Sequence, residues 1–284
     1  MYRGEELSKG RLRAIRALRT KRGRERQGRT IIEGVRLVEA ALEAGARPEV
    51  ALYTPRILRS ERGNRLLEAL QRSGSRIHAV SEEVMAGASA TETPQGILAV
   101  IPSPGVPLEQ VVSPERLFLL AVDGVQDPGN LGTMLRTAAA AGATGALLGR
   151  GTVDAGNPKT VRAAMGATFL LPLAAEVDLP PVLLSLARRG VAVIAGDPAG
   201  ETPLFGAPVA PPVVVVVGGE ANGLSPAVEA VVTQRLRIPM ASGVESLNAA
   251  VAAALLLYEV NRRQTQPLPC QASERRVIIT PTIE

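Results

Sequence analysis

The stretch VVVVVGGEANGLS, Val213 to Ser225, runs from five consecutive valines into a Gly-rich loop and on toward a helix. An apolar run without alternation is typical of a parallel strand covered on both faces of its sheet. Two further blocks also lead from a strand through a loop into a helix: DGVQDPGNLGTMLRTAAAAGA (Asp123 to Ala143) and RIPMASGVESLNAAVAAALLLYEV (Arg237 to Val260). Because ligands of open parallel sheets bind beyond the carboxyl ends of the strands, three such loops predict a site that holds a ligand by main-chain groups.

Strands and helices alternate in two series, which predicts an α/β protein with two domains. Between the series, IPSPGVPLEQVVSP (Ile101 to Pro114) has four prolines in fourteen residues and is expected to be a linker. The predicted division is an N-terminal arm over 1–30, a small α/β domain over 31–102, a linker over 103–114, a parallel-sheet domain over 115–263 and a disordered tail over 264–284.

Strand patterns in the small domain are RTIIEG, EVALYT, SRIHAV and GILAVIP, with helices expected at about 34–44, over 61–73 and at SEEVMAGAS. Gly45 stands where a C-cap glycine belongs, and Ser81 is a predicted N-cap. In the larger domain the expected strands are RLFLLAVDG, ATGALLGRG, VAVIAGD, VVVVVGGE and RLRIPM. NPKTVRAAMGAT is expected to form one helix, and the last helix is expected over Leu247 to Arg263.

Basic charge is concentrated at the N-terminus. Residues 1–30 hold 11 Lys and Arg against 3 Asp and Glu, a net charge of +8; the whole chain carries +5, so residues 31–284 sum to −3. Leu12, Ile15 and Leu18 recur at helical spacing, which predicts a basic amphipathic helix over Lys9 to Arg22. Such an arm suits a phosphate backbone, and a solvated basic tail is the alternative.

Several classes of function are excluded by composition. No apolar run reaches the ~18 residues of a membrane span, and the charged N-terminus lacks the apolar stretch of a signal peptide. With one cysteine and one histidine, the chain offers no disulfide, no transition-metal site and no Ser-His-Asp triad. The histidine, His78, is expected to be structural, and the protein is expected in the cytoplasm.

Hydrogen-bonding side chains are the chemistry that remains in the three blocks: Asn130, Arg136, Glu220, Ser246 and Asn248. Such groups position and polarise, which fits a reaction driven by a cofactor. GGEANGLS lacks the lysine of a Walker A loop, and no G-x-G-x-x-G follows a strand, so ordinary nucleotide motifs are absent. Structural alternatives are open: Asn130 and Ser246 as helix N-caps, and Glu220 as a cap of the helix near Ser225.

In order and spacing, the three blocks resemble the three motifs of the SpoU (TrmH-like) branch of the SPOUT methyltransferases. IIEGVRLVEAAL and TETPQGILAV resemble the small substrate-binding domain of the members that act on ribosomal RNA, so the resemblance covers roughly residues 10–263. It implies a parallel-sheet SPOUT domain with a trefoil knot and S-adenosylmethionine as methyl donor. It further implies the ribose 2′-hydroxyl of an RNA, foremost 23S ribosomal RNA, as acceptor, a homodimer through the C-terminal domain, and no role for DNA.

The resemblance also implies a role for each motif residue. The residues implied in catalysis are Asn130, Arg136, Glu220, Ser246 and Asn248. Those implied in cofactor binding are Gly218, Ile238, Met240, Leu247 and Ala195. RNA contacts are expected from Arg136, Arg162, Arg11, Arg13 and Arg36. The resemblance implies that Arg136 contacts the 2′-hydroxyl or its adjacent phosphate, either as a base or as a clamp. We favour a clamp that lowers the hydroxyl pKa by its charge, because a guanidinium resists deprotonation.

Other functions are compatible with the same blocks. The chain could be a catalytically silent RNA-binding or ribosome-assembly protein, although such a protein need not retain all five catalytic residues. A methyltransferase that confers antibiotic resistance through ribosomal RNA, or one that acts on transfer RNA, would use the same chemistry. The blocks themselves do not select the target.

Overall fold

Two β-sheets organise the chain in the computed structural model, which describes residues 7–113 and 115–264. The N-terminal sheet has the order β1-β4-β2-β3. Its strand β4 is antiparallel to β1 and β2, whereas β2 and β3 are parallel. These four strands confirm the sequence prediction and span the following residues: β1 Arg29–Glu33, β2 Val50–Tyr53, β3 Arg76–Ala79 and β4 Ile97–Pro102.

Helices flank this sheet, and their apolar residues build its two core clusters. The predicted N-cap is present, since Ser81 accepts a hydrogen bond from the Val84 amide at 3.3 Å. Gly45 follows the C-cap of the helix that it was predicted to end, with φ of +81°. The helices are α1 Lys9–Ala17, α2 Lys21–Gln27, α3 Val35–Glu43, a 3₁₀ turn Pro55–Arg59, α4 Glu61–Arg72 and α5 Glu82–Ala88.

The prediction of one helix over Lys9 to Arg22 is wrong. The first helix ends at Ala17 and a second begins at Lys21, where Thr20 caps α2 by accepting a hydrogen bond from the Gly23 amide at 3.1 Å. Only glycine fits at position 23, because an added Cβ would lie 1.9 Å from the Ala17 carbonyl oxygen. Ile15 and Leu18 are buried in the core of the N-terminal sheet. The arm, where it is described, is therefore packed on the domain rather than a solvated tail.

All neighbouring strands of the second sheet are parallel, in the order β7-β6-β5-β10-β8-β11-β9. The five valines of β10 are buried, as expected of a strand covered on both faces. This arrangement confirms the predicted parallel sheet. The strands are β5 Phe118–Asp123, β6 Gly145–Gly149, β7 Leu173–Val177, β8 Ala192–Gly196, β9 Thr202–Pro203, β10 Val213–Gly218 and β11 Gln234–Arg237.

Two helical layers cover the second sheet. The long helices α7 and α12 pack on one face, whereas α10 and α11 pack on the other. The helices of this domain are α6 Leu108–Val112, α7 Pro128–Ala140, α8 Pro158–Ala164, α9 Ala167–Leu170, α10 Leu179–Arg188, α11 Pro226–Glu229 and α12 Ala249–Arg263. None of the helices within the described ranges has the length and apolar character needed to cross a membrane.

Several elements differ from the prediction. Strands β7 and β9 were not predicted, and the expected linker contains α6, which buries Val111. The single helix over NPKTVRAAMGAT is divided at Met165 and Gly166, whose φ angles are +48° and +89°. The last helix begins at Ala249. The domain limits and the trefoil knot stay predictions, and the tail from residue 265 lies outside the described residues.

Candidate active site

The carboxyl ends of three adjacent strands bring the predicted site together. β10 lies between β5 and β8, with Val217 opposite Val122 and Val216 opposite Ala195. Because the three strands are parallel, the loops that follow them leave the sheet on the same side. The Gly-rich loop after Gly218 is therefore adjacent to the loops after Asp123 and Gly196.

A cleft of about 230 Å³ opens between these loops and the start of α12. Four of the predicted cofactor-binding residues line it: Gly218, Ile238, Met240 and Leu247. Ser246, which was predicted to act in catalysis, lines the same cleft. The fifth predicted residue, Ala195, is buried and lines an adjoining cleft of about 230 Å³. Both clefts share the following residues: Gly196, Asp197, Pro198, Gly223 and Leu224.

The sequence prediction missed most of those shared residues. Gly196, Asp197 and Pro198 follow the apolar run of β8, so the position of a loop at a strand end was the signal that could have identified them. Leu256 also lines the cleft, although it lies two turns into α12. A leucine in an apolar helix carries no sequence signal that separates a cleft wall from an ordinary core position.

Close main-chain contacts shape the Gly-rich loop. Gly219 and Gly223 exchange two hydrogen bonds of 3.0 Å each, which closes the loop on itself. Gly218 lies against this turn so tightly that an added Cβ would be 2.2 Å from the Gly223 carbonyl carbon. The GG-x-x-x-G spacing is thus a steric requirement, since any side chain at position 218 would push the loop out of place.

Three polar side chains from separate blocks are linked by hydrogen bonds beside the cleft. Asn130 Nδ2 donates to Glu220 Oε1 at 2.8 Å, and Asn248 Nδ2 donates to Asn130 Oδ1 at 3.1 Å. Glu220 Oε2 also accepts from the Gln126 amide at 3.3 Å. We call Asn130, Glu220 and Asn248 the polar trio. It joins the amino-terminal ends of α7 and α12 to the Gly-rich loop.

The donor and acceptor in each hydrogen bond of the polar trio are fixed by Asn248 at one end and by Glu220 at the other. At one end Asn248 Oδ1 accepts from the Ala250 and Val251 amides at the start of α12, at 2.9 and 3.3 Å. Its Nδ2 group must therefore face Asn130, which in turn presents its oxygen to Asn248 and its Nδ2 group to Glu220. The carboxylate at the other end only accepts. The two amides thus have one satisfied orientation.

The structural alternatives for these residues are wrong. The N-cap of α7 is Asp127, which accepts from the Asn130 amide at 2.7 Å, so Asn130 lies inside the helix. The N-cap of α12 is Asn248 rather than Ser246. Glu220 does not cap α11, whose N-cap is Ser225. These side chains are therefore not explained by helix capping, except for Asn248, which both caps α12 and donates to Asn130.

Glu220 is held as an anion by its neighbours. Burial alone would raise its pKa, but hydrogen bonds from Asn130 and from main-chain amides, including that of Gln126, outweigh this effect and lower the pKa below its ordinary value. The carboxylate is consequently ionised at neutral pH and acts as an acceptor.

The predicted RNA-binding arginines are spread over both domains. Arg136 is exposed on α7, and within the described residues its side chain forms neither a hydrogen bond nor an ion pair. Arg162 is exposed on α8, Arg13 on α1 and Arg36 on α3, whereas Arg11 is half-buried on α1. The structure therefore joins Asn130, Glu220 and Asn248 directly but leaves Arg136 outside this bonded group.

The histidine of the sequence lies outside the described site. His78 is buried in β3 of the other domain, as expected of a structural residue. Across the described parts of the chain, no group of three or more His, Cys, Asp or Glu side chains is arranged to hold a metal ion.

Comparison with known families assigns each sheet to a known domain. Residues 117–258 match the family described as the SpoU rRNA Methylase family, and residues 9–99 match an MRM3-like substrate binding domain. The first match contains all three motif blocks up to Tyr258. The second begins at the start of α1, so it includes most of the basic arm.

Individual relatives cover nearly the whole chain. The 23S rRNA (guanosine(2553)-2′-O)-methyltransferase RlmP of Bacillus subtilis is 37% identical, with 86% of this chain and 92% of the relative covered. An rRNA methyltransferase of Sinorhizobium meliloti, solved with AdoMet bound, has a TM-score of 0.78 at 31% identity, with 92% and 97% covered. The SpoU methyltransferase AviRb of Streptomyces viridochromogenes, also solved with AdoMet, has a TM-score of 0.78 at 28% identity, with 89% and 98% covered.

Proposed function

This chain belongs to the SpoU rRNA methylase family of RNA methyltransferases, and we propose that it methylates a ribose 2′-hydroxyl of 23S ribosomal RNA with S-adenosylmethionine. The observation that carries the proposal is the adjacency of two groups of residues, because Leu247 and Ala249, on either side of Asn248, line the cleft. The cleft along Gly218, Ile238 and Leu247 suits the cofactor, and the polar trio stands beside it. The proposal places the protein in the cytoplasm, where bacterial ribosomal RNA is made.

The cleft residues fit the cofactor in shape and chemistry. Apolar side chains can enclose the adenine ring, while the Gly-rich loop offers main-chain donors and acceptors without side chains in the way. The main cleft of about 230 Å³ shares five lining residues with the adjoining cleft, so a bound ligand has room to extend from one into the other. The apolar side chains that would hold the cofactor are Leu224, Ile238, Met240, Leu247 and Leu256.

The protein supplies positioning, since the bound cofactor brings an electrophilic methyl group on its sulfonium. The 2′-hydroxyl of a bound RNA would have to be oriented toward that methyl group and ready to lose its proton, and correct placement by the protein can lower the barrier by several kcal/mol. The polar trio offers a rigid, fully oriented set of amide and carboxylate groups for that placement. Arg136 clamps the adjacent phosphate with its planar fork and favours the ionised hydroxyl through its charge.

Dimerisation forms part of the proposal, because the family geometry lets each site borrow surface from a second subunit. Val251 and Tyr258 are half exposed and seven residues apart, so they share one face of α12. Val244 and Leu247 are further exposed apolar side chains, on the loop that precedes the helix. Light scattering at micromolar concentration should show a dimer, and a monomer would contradict this part of the proposal.

The choice of ribosomal RNA rests on the N-terminal domain and on the relatives. The match to an MRM3-like substrate binding domain covers the helices that carry Arg11, Arg13 and Arg36. The Bacillus subtilis relative is named for 2′-O-methylation of a guanosine in 23S rRNA. The basic charge of residues 1–30, which pack on this domain where they are described, is suited to hold a structured RNA through its phosphates.

Mapping of ribose methylation in ribosomal RNA from a strain that lacks this protein tests the proposal. We expect one 2′-O-methyl group of 23S rRNA to disappear and to return when the wild-type chain is restored. An unchanged methylation pattern in 23S rRNA, with loss of a mark in transfer RNA, would overturn the assignment of the substrate. Titration calorimetry with S-adenosylmethionine provides the matching test of cofactor binding.

A further inference from the structure

The loop over 150–157 is bound at once by the N-terminal domain and by the candidate active site. It connects β6 to α8 and contains Thr152, Asp154 and Gly156. Neither the family motifs nor the polar trio include it. Its contacts on both sides suggest a mechanical connection between the part of the protein that binds RNA and the part that transfers the methyl group.

Toward the N-terminal domain, the loop is held by two buried side chains. Arg24 of α2 is 4% exposed, and its Nε donates to Asp154 Oδ2 at 2.7 Å. A second donor on the same guanidinium, Nη1, is bound to the Leu18 carbonyl oxygen at 3.0 Å. Thr30 at the start of β1 donates to the Gly156 carbonyl oxygen at 2.5 Å and is fully buried. The arginine is therefore fixed in its own domain while it binds the loop of the other.

Toward the active site, the same loop holds the segment that precedes α7. The Gly124 amide donates to Thr152 Oγ1 at 3.2 Å, and the Val153 amide donates to the Val125 carbonyl oxygen at 2.9 Å. The Gln126 side chain donates to the Gly151 carbonyl oxygen. The Gln126 amide in turn donates to Glu220 at 3.3 Å. Three contacts thus join the loop to residues 124–126, and a fourth joins Gln126 to the polar trio.

We propose that Arg24 and Asp154 are positioning residues for methyl transfer. Their ion pair sets the loop over 150–157 against the substrate-binding domain, and the loop sets Gln126 and the carboxylate of Glu220. The RNA that is held on the N-terminal domain is thereby presented at a fixed distance from the groups that orient its ribose. Neither residue touches the reacting atoms.

The carboxylate of Asp154 binds both the N-terminal domain and its own loop. While Oδ2 accepts from Arg24, Oδ1 accepts from the Gly156 amide at 2.7 Å, so one carboxylate fixes both the partner domain and the turn of the loop. The side chain is 24% exposed and that of Arg24 is 5% exposed. A partly buried charged pair is screened less than an exposed one, and loss of Asp154 leaves the buried arginine without its charged partner.

The substitution Asp154→Asn tests the proposal against a matched control, Glu39→Gln. Glu39 is also 24% exposed and also accepts from an arginine Nε, that of Arg62 at 2.9 Å, but this pair lies within the N-terminal domain. For both variants, kcat and KM for RNA are measured together with amide hydrogen exchange over 124–127. Since a misplacement of about 1 Å can cost about 100-fold in rate, we expect Asp154→Asn to lower kcat by about tenfold or more.

The expected pattern separates positioning from general damage. Asp154→Asn should lower kcat and speed exchange over 124–127 while KM for RNA stays within about twofold, and Glu39→Gln should change none of these quantities. Unchanged kcat and exchange in Asp154→Asn would overturn the proposal, as would an equal loss in Glu39→Gln or an effect on KM alone. If Asp154→Asn does not fold, Arg24→Lys, which keeps the charge but loses the Nε donor, is measured in the same way.

The inference rests on the proposed methyl transfer to RNA, but its test can fail separately. If the wild-type chain does not methylate RNA, the proposed function fails while hydrogen exchange still reports whether the loop holds residues 124–127. If the wild-type chain is active and amide hydrogen exchange over 124–127 is the same in Asp154→Asn as in the wild type, only the positioning role is refuted.

Discussion

Asn130→Asp tests the polar trio with almost no change in shape. The substitution replaces the Nδ2 donor, which lies 2.8 Å from Glu220 Oε1, with an oxygen. Two carboxylates then face each other where a donor and an acceptor stood. The Asn248 amide keeps an oxygen to bind, so the change is confined to the contact with Glu220.

Two effects determine how far Asn130→Asp lowers the free energy of unfolding. A hydrogen bond to a charged acceptor contributes about 1.5–3 kcal/mol when buried, and the exposure of Glu220 favours the low end of that range. Repulsion between two unit charges about 4 Å apart adds roughly 1 kcal/mol in water-like surroundings. We therefore expect unfolding to become easier by about 2 kcal/mol, which lowers the melting temperature by about 4–8 °C for a domain of this size.

The loss of stability in Asn130→Asp should be larger at high pH than at low pH. Mutual repulsion raises the pKa values of the two carboxyl groups in the folded variant relative to either group without the other. The penalty is complete above the raised pKa and is relieved as the pH falls and one proton is bound between them. Differential scanning fluorimetry at pH 7.5 and pH 4.5 should show a larger melting deficit at the higher pH.

Two controls make the result interpretable. Asn130→Ala removes the donor without adding charge, so its deficit should not shrink at low pH. Asn157→Asp places the same new charge at the N-cap of α8, where a carboxylate can still accept from the Lys159 amide. Wild-type stability at both pH values together with wild-type methyl transfer in Asn130→Asp would refute the role of the polar trio.

Three further variants test other parts of the site and the fold. Arg136→Lys keeps the charge but loses the fork, so turnover with RNA should fall by orders of magnitude, and near-normal turnover would contradict the clamp. Gly218→Ala places a Cβ 2.2 Å from the Gly223 carbonyl carbon and should abolish S-adenosylmethionine binding by calorimetry, whereas Gly10→Ala, with nothing within 4 Å, should bind normally. Hydrogen bonds from Arg262 and Arg263 lower the pKa of Glu259 to about 2. Above its unfolded pKa near 4.5, the ionised Glu259 should therefore stabilise the fold by up to about 3 kcal/mol. Solvent screening of the two partly exposed arginines makes the contribution somewhat smaller. Denaturation of wild type and Glu259→Gln should show this difference constant above pH 5 and lost as the pH falls toward 2; a difference that does not change with pH would contradict it.

The parallel sheet could be predicted because its central strands are long apolar runs. Val213 to Val217 has no competing interpretation, whereas β9 is only two residues long and no pattern of that length predicts a strand. β7 was missed because Glu176 interrupts its apolar run, and this residue has a φ of +55°. Short edge strands are determined by neighbours that the local sequence does not reveal.

Breaks in helices depended on tertiary contacts in the same way. The helix over NPKTVRAAMGAT has good local periodicity, but Gly166 approaches Ala40 of the other domain so closely that an added Cβ would lie 2.9 Å from the Ala40 Cβ. The chain turns there to make room for the N-terminal domain. Such a break follows from domain contact, which no window of sequence contains.

For the candidate site, the sequence indicated which loops come together better than it indicated how their side chains are joined. Four of the five residues predicted to bind the cofactor line the main cleft, because the three motif blocks fix which loops meet. The bonds that join Asn130, Glu220 and Asn248 depend on side-chain rotation, and the choice of Asn248 over Ser246 as N-cap depends on where α12 begins. The role of Arg24 could not be predicted, since its partner Asp154 is 130 residues away along the chain.

Transfer of a labelled methyl group from S-adenosylmethionine to unmodified 23S rRNA tests the central claim most directly. The purified chain is incubated with both substrates, and the RNA is digested to nucleosides that are separated by chromatography. The site described above predicts label in a single 2′-O-methylated nucleoside, and loss of that label in Arg136→Lys. Label on a base, or no label from a chain that binds S-adenosylmethionine, would contradict the account.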